Sequence, residues 1–155
     1  MAKARLLLAD DHTLVVEAFK RVLEPEFSVV GTVSDGHALL KAAAALKPDL
    51  VLVDLNMPLL NGNDAGKQLK AAHPGIKIIV LTMNEDAETA AESLSLWASG
   101  YILKKSTSAE LIHAVHHVMG GGRYVAPAIQ EHIEKNGATT PAIQSGASTK
   151  FIARI

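Results

Sequence analysis

The five residues Leu50-Val51-Leu52-Val53-Asp54 decide the fold class. Four apolar residues in a row carry no polar alternation, which reads as a strand buried on both faces, as in parallel sheets. The run Leu6-Leu7-Leu8-Ala9 repeats the pattern and ends in Asp10-Asp11. In open α/β folds, ligands bind outside the carboxyl ends of the strands. Two buried strands ending in carboxylates therefore imply an acid cluster at one edge of the sheet. Three like charges at close range repel unless a cation or a bound proton relieves them. Hard oxygen ligands favour Mg2+ as that cation.

Working outward, strand-like runs recur at residues 5–9, 27–33, 50–53, 77–81 and 100–103. Helical periodicity fills the intervals. The first helix is expected to align Val15, Ala18, Phe19 and Val22 on one face, and an alanine-rich second runs over 38–46, closed by Lys47-Pro48. A third is expected over 63–72, although Asn63, Asp64 and Gly66 are poor helix formers. The fourth carries Ala87, Ala90, Ala91, Leu94 and Trp97 in a stripe with Gly100 as its stop, and the fifth opens on the capping box Thr107-Ser108-Ala109-Glu110. Five strands alternating with five helices imply a parallel sheet covered on both faces. Gly120-Gly121-Gly122 ends the last helix. One short further helix is expected over 126–136, and the Gly-, Ala-, Ser- and Thr-rich stretch from Gly137 reads as flexible.

The 155 residues suffice for one domain with a real core; 48% hydrophobic and 20% charged content is that of a globular chain. A net charge of −1 gives no overall pull towards nucleic acid or anionic membrane. The absence of cysteine excludes disulfides and thiolate chemistry. With neither a secretory signal nor a membrane-length apolar run, a cytoplasmic protein is the default expectation.

Around Asp54 the string is Asp54-Leu55-Asn56-Met57-Pro58-Leu59-Leu60-Asn61-Gly62; Thr82 ends the fourth strand run and Lys104 the fifth. Four strands thus deliver acids, a hydroxyl and an amine to one edge. Residues 4 to about 120 resemble the receiver domain of bacterial response regulators. The matching elements are Asp10-Asp11, the Asp-x-x-Met-Pro-x-x-x-Gly string from Asp54, Thr82 and Lys104, with Tyr101 at the switch-aromatic position three residues before the lysine. Asp-Asp-His, Leu-Thr-Met and the segment from Ala98 to Lys104 look most like the LuxR-type (NarL-like) subfamily. One short motif is weak, but five in order at strand ends are specific.

The resemblance implies a flavodoxin-like (βα)5 doubly wound parallel sheet with strand order 2-1-3-4-5. It divides the chain into a receiver over 1–122 and a linker-like tail over 123–155. It implies that Asp54 is the phosphoacceptor, with Mg2+ held by Asp11, Asp54 and the Asn56 backbone carbonyl, and by Asp10 through a water. It makes Lys104 the partner of Asp54 at rest and of the phosphoryl group afterwards, Thr82 a hydroxyl donor to that group, and Tyr101 the aromatic that fills space vacated when Thr82 moves. Three carboxylates, one ammonium and Mg2+ sum to zero charge, and phosphorylation replaces one negative charge by about two. The implied partners are a sensor histidine kinase as donor and a second copy through the surface of the fourth helix, fifth strand and fifth helix. Three departures stand out: Lys105 where many receivers have Pro, Trp97 where the subfamily usually has Gly, and Asn63 after the motif glycine.

Taken singly, these residues have ordinary explanations. An Asp at a strand end is commonly a turn or cap residue. His113, His116 and His117 fall opposite the Leu111/Val115/Val118 stripe and read as a solvated face. His12 begins a helix without a required catalytic role, and Met83 either narrows access to Asp54 or packs. Only 36 residues follow Met119 (155 minus 119), and residues 137–155 hold just Lys150 and Arg154 as basic groups, so specific DNA binding by this chain is not expected. Competing readings are a phosphorylation-independent scaffold, an aspartate-nucleophile phosphatase of the haloacid dehalogenase type, and a flavin-binding protein. The phosphatase chemistry usually wants an Asp two residues past the nucleophile, where Asn56 stands. Acids line the edge where flavin would need a phosphate cradle.

Overall fold

The computed structural model describes residues 3–57, 59–83 and 87–135, with the side chains of 87–89 left out. The elements follow in order as β1 (Arg5–Ala9), α1 (Thr13–Leu23), β2 (Ser28–Val33), α2 (Gly36–Leu46), β3 (Leu50–Asp54) and α3 (Gly62–Ala72). They continue as β4 (Lys77–Thr82), α4 (Ala87–Leu96), β5 (Gly100–Leu103), α5 (Ser108–Met119), β6 (Tyr124–Val125) and α6 (Pro127–Lys135). All five neighbouring strand pairs are parallel, in the order β2-β1-β3-β4-β5-β6. The expected order of the first five strands holds. The sixth strand is an addition: two residues leave no periodicity for a sequence reading to detect.

Strand alternation sorts the apolar runs into two cores. Leu7, Ala9, Val51, Val53, Ile78 and Val80 face one side, against α2, α3, α4 and α6. Leu6, Leu8, Leu50, Leu52, Ile79 and Leu81 face the other, against α1 and α5. Each fully buried aliphatic side chain contributes about 1.5–3 kcal/mol relative to exposure, so the central strands anchor the fold.

The weak helix formers of α3 turn out to be its start signal. Asn61 is the N-cap, its side chain accepting from the Asp64 backbone N–H at 2.9 Å, with Asp64 in the positive first turn. Gly66 lies against Trp97: a Cβ there would come within 2.5–2.7 Å of the indole. The departure at Trp97 is thus accommodated by the missing side chain of Gly66 on α3. In α2, Asp35 caps the start and Lys47 closes the helix in the left-handed region at φ 50°.

Two expectations need correction. On α1 the expected Phe19 and Val22 pack against the core but stay partly exposed, Val16 and Leu23 are the buried residues, Val15 is half-buried and Ala18 is exposed. Apolar residues cover more than half the circumference of this helix, so the pattern alone left its exact rotation open. Gly100 does not stop α4, which ends at Leu96, but begins β5 with its hydrogen against Ile79 and the Tyr124 carbonyl. Expected contributions of Ala87 and of the tail from residue 136 lie outside what the structure describes.

The segment after α5 is part of the body. Gly121, at φ 99°, turns the chain back. Tyr124 N–H then donates to Ser99 O at 3.2 Å and Ala126 N–H to Tyr101 O at 2.9 Å. Ala126, Ile129 and Ile133 are buried beside Trp97 and Tyr101. The Tyr124 hydroxyl donates to Glu110 at 2.7 Å; burial first, then that bond, pushes its pKa well above the usual tyrosine value. Among the described residues no helix is long and apolar enough to cross a membrane.

Candidate functional site

The carboxyl ends of β1, β3, β4 and β5 converge. Asp10 follows β1, Asp54 ends β3, Thr82 ends β4 and Lys104 follows β5, and all four are buried. Backbone bonds hold the rim: Asp10 N–H donates to Val33 O at 3.0 Å and Lys104 N–H to Thr82 O at 2.8 Å. The register Thr82↔Leu103 thereby sets Lys104 beside the hydroxyl-bearing strand.

The Lys104 ammonium lies 2.9 Å from Asp10 Oδ2 and 3.1 Å from Asp54 Oδ2, with its side chain only 3% exposed. The ammonium thus ion-pairs with both buried carboxylates at once. The other oxygens are oriented by backbone: Asn56 N–H donates to Asp54 Oδ1 at 3.1 Å, and His12 N–H to Asp10 Oδ1 at 2.8 Å. Asp11 is partly exposed at the mouth. Asn56 is exposed two residues past Asp54.

Three carboxylates against one ammonium leave two uncompensated negative charges (−3 + 1 = −2). Ligand atoms of Asp10, Asp11, His12 and Asp54 lie within 4.8 Å of one another. A hard-oxygen set that carries excess negative charge suits a divalent cation.

Tyr101 is 1% exposed, in the core with Trp97, Ala98, Ala126 and Ile129. Met83 is 67% exposed and does not pack. His113, His116 and His117 are exposed as expected, with His116 Nε2 2.6 Å from Glu26 Oε1. His12, expected from the sequence only to begin a helix, also belongs to the cluster. Its ring turns into the cluster, with Nδ1 2.9 Å from Asp10 Oδ1 and 2.8 Å from Lys104 Nζ. Its place directly after the acid pair, at a helix start where it makes no side-chain cap, was the available signal.

Residues 6–116 match the family described as response regulator receiver domain. The chain belongs to that family. The transcriptional regulatory protein DegU of Brevibacillus brevis is 37% identical over 135 residues, covering 86% of this chain and 57% of that protein. A two-component response regulator of the LuxR family from an Aurantimonas species superposes with a TM-score of 0.83 at 30% identity, covering 88% of this chain and 99% of that one. The isolated receiver domain of RcsB from Salmonella enterica serovar Typhimurium, solved with the phosphomimetic BeF3-, gives 0.77 at 28% identity, covering 83% and 97%. The LuxR/NarL-type assignment and the receiver fold follow from these likenesses together. This receiver chain spans about three fifths of the length of its curated relatives.

Proposed function

We propose that Asp54 accepts a phosphoryl group from a sensor histidine kinase and that the receiver passes the change to a partner through its surface. The observation that carries this reading is the buried Lys104 ammonium held between Asp10 and Asp54. An ammonium so placed pairs with the acceptor carboxylate and stays within reach of the product's added charge.

The acid cluster suits Mg2+ as the cation, with Asp11, Asp54 and the Asn56 carbonyl as direct ligands and Asp10 through a water. Bound there, it would neutralise the two excess charges and draw charge from the phosphoryl oxygens. An Asp54 oxygen forms the new bond to phosphorus as the donor's bond breaks, leaving an acyl phosphate. Lys104 shifts its pairing from the carboxylate to the phosphoryl oxygens, and Thr82, at the end of the adjacent strand, donates its hydroxyl proton to one of them. Asn56 stands where hydrolytic relatives of this chemistry need a general acid, so repeated turnover is not part of the role.

Tyr101 is already inside in this structure, so its expected inward swing is not required. A Thr82–phosphoryl bond would instead hold the β4–β5 end in the arrangement seen. Output by self-association remains the reading for α4, β5 and α5, but β6 covers the outer edge of β5 and shifts the contact to the helices. The inward Tyr101 also favours one second reading, a receiver that engages its partner without phosphorylation. Equal partner affinity for the wild type and Asp54→Asn would support that alternative. A histidine kinase as phosphodonor supports a cytoplasmic location beside that kinase's catalytic end. Acetyl phosphate with Mg2+, read on a phosphate-affinity gel, tests the main reading: a retarded band in the wild type and none in Asp54→Ala is expected. No retarded band in the wild type overturns it.

A further inference from the structure

Three histidines lie on the exposed side of α5, and their surroundings differ. His116 is matched: its Nε2 lies 2.6 Å from Glu26 Oε1, and its ring centroid 4.7 Å from that of Phe27. His113 and His117, one helical turn apart, have no side-chain hydrogen bond or ion pair among the described residues. Their ring centroids stand 5.9 Å apart at an interplanar angle of 32°. Residues four apart on a helix share one face, the spacing at which helical histidine pairs grip zinc. Two imidazoles on one tetrahedral ion, with Zn–N bonds of about 2.0–2.1 Å, hold their centroids about 5 Å apart. A rotation of the exposed rings that closes about 1 Å brings a nitrogen of each to one point.

The pair is backed by a fixed wall. Tyr124 meets His113 edge-on at 5.5 Å and 79°, and His117 at 6.3 Å and 70°. Its hydroxyl on Glu110 and its pairing with β5 hold Tyr124 in turn, so both rings are confined before any ligand arrives. Glu110 stands three residues before His113 on the same stripe of α5. Its carboxylate puts negative charge beside the rings and favours a cation there over an anion. Gly122 completes the setting. A Cβ on it would stand 2.5 Å from His117 Nε2, so the missing side chain keeps that nitrogen uncovered.

We propose that His113 and His117 are a chelating pair for a divalent transition ion such as Zn2+, on the face of α5 beside β6. Imidazole nitrogens suit Zn2+, Cu2+ and Ni2+, whereas Mg2+ takes oxygen and water. The position is separate from the acid cluster. Tyr124 pairs with Gly100 at the start of β5, while Lys104 follows the end of that strand, about 13 Å further on. Two imidazoles leave the solvent-side positions of a four-coordinate ion to water. A bound ion adds positive charge to α5 and ties its last two turns together against Tyr124.

The test titrates Zn2+ into the full chain in excess Mg2+, following each histidine ring by NMR and taking affinities from the shifts. The variants are His113→Ala, His117→Ala, His116→Ala and Gly122→Ala. Exposed histidines replaced by alanine, a better helix former, should leave the fold intact, which circular dichroism checks. The His113 and His117 rings are expected to shift together in the wild type. Either alanine at those two positions should weaken Zn2+ more than about tenfold, since even an outer-shell change costs that much. His116→Ala should change it less than about twofold, and Gly122→Ala should weaken it with both ligands still present. Shifts confined to His12 would put the ion in the acid cluster and overturn the assignment. Unshifted His113 and His117 rings, or affinity unchanged by both His113→Ala and His117→Ala, would overturn it as well.

Discussion

Lys104→Met removes the one ammonium between two buried carboxylates while keeping most of the side-chain volume. At an effective dielectric near 20, ion pairs of 2.9 and 3.1 Å are each worth about 5–6 kcal/mol before desolvation is charged against them. Removing one partner of a buried pair typically costs about 3–5 kcal/mol, because the opposite charge is left without compensation. The loss has a ceiling: a stranded carboxylate escapes by taking up a proton, which costs an ordinary aspartate about 4 kcal/mol at pH 7. The expected destabilisation is therefore about 3–4 kcal/mol, or a drop in Tm of about 6–16 °C for a chain of this size. Urea unfolding followed by Trp97 fluorescence reads it directly, since Trp97 is the sole tryptophan and is 3% exposed. Adding Asp54→Asn to Lys104→Met should recover part of the loss, because one stranded carboxylate is gone. A loss below about 1 kcal/mol would mean a solvent-screened surface pair and would refute the buried-cluster reasoning.

Other perturbations have equally definite outcomes. Gly66→Ala drives a methyl into the Trp97 ring, so an overpacking loss of about 1–3 kcal/mol should outweigh the helix gain of about 1 kcal/mol, with an altered Trp97 emission spectrum as the second readout. Ile133→Ala, at a side chain with no exposure, should cost about 2–5 kcal/mol in chemical denaturation if α6 belongs to the core, and almost nothing if it is a loose tail. Tyr124 has a raised folded pKa, so its contribution is whole below the ordinary value of 10.0 and is lost as pH rises through the higher folded value. Tyr124→Phe should accordingly show a shallower loss of stability above pH 10 than the wild type in alkaline denaturation.

Much of this molecule was legible because its strands are buried on both faces. Leu6-Leu7-Leu8-Ala9 and Leu50-Val51-Leu52-Val53 have no other comfortable place in a globular chain, and their terminal acids mark the ligand edge. The site was legible for the same reason: Asp10, Asp54, Thr82 and Lys104 each follow or end a strand, so topology brings them together. What escaped depends on orientation or on very short elements. The roll of α1 is undetermined by a sequence apolar over more than half its circumference, and only the observed packing picks Val16 and Leu23. β6 spans two residues and gains its pairing from β5, a long-range cue absent from the local string. His12 was expected only to begin a helix because a residue at a helix start is ordinarily read as a cap, whereas its ring answers to charges from three different segments.

The central claim is that the Asp54 carboxylate is the group that takes the phosphoryl. Treating the Mg2+- and acetyl-phosphate-exposed chain with borohydride, which reduces an acyl phosphate to an alcohol, and mapping the product by peptide mass spectrometry tests it most directly. Conversion of residue 54 to homoserine, absent when Mg2+ is withheld, is the predicted result. Conversion at another aspartate, or none at all, would contradict it.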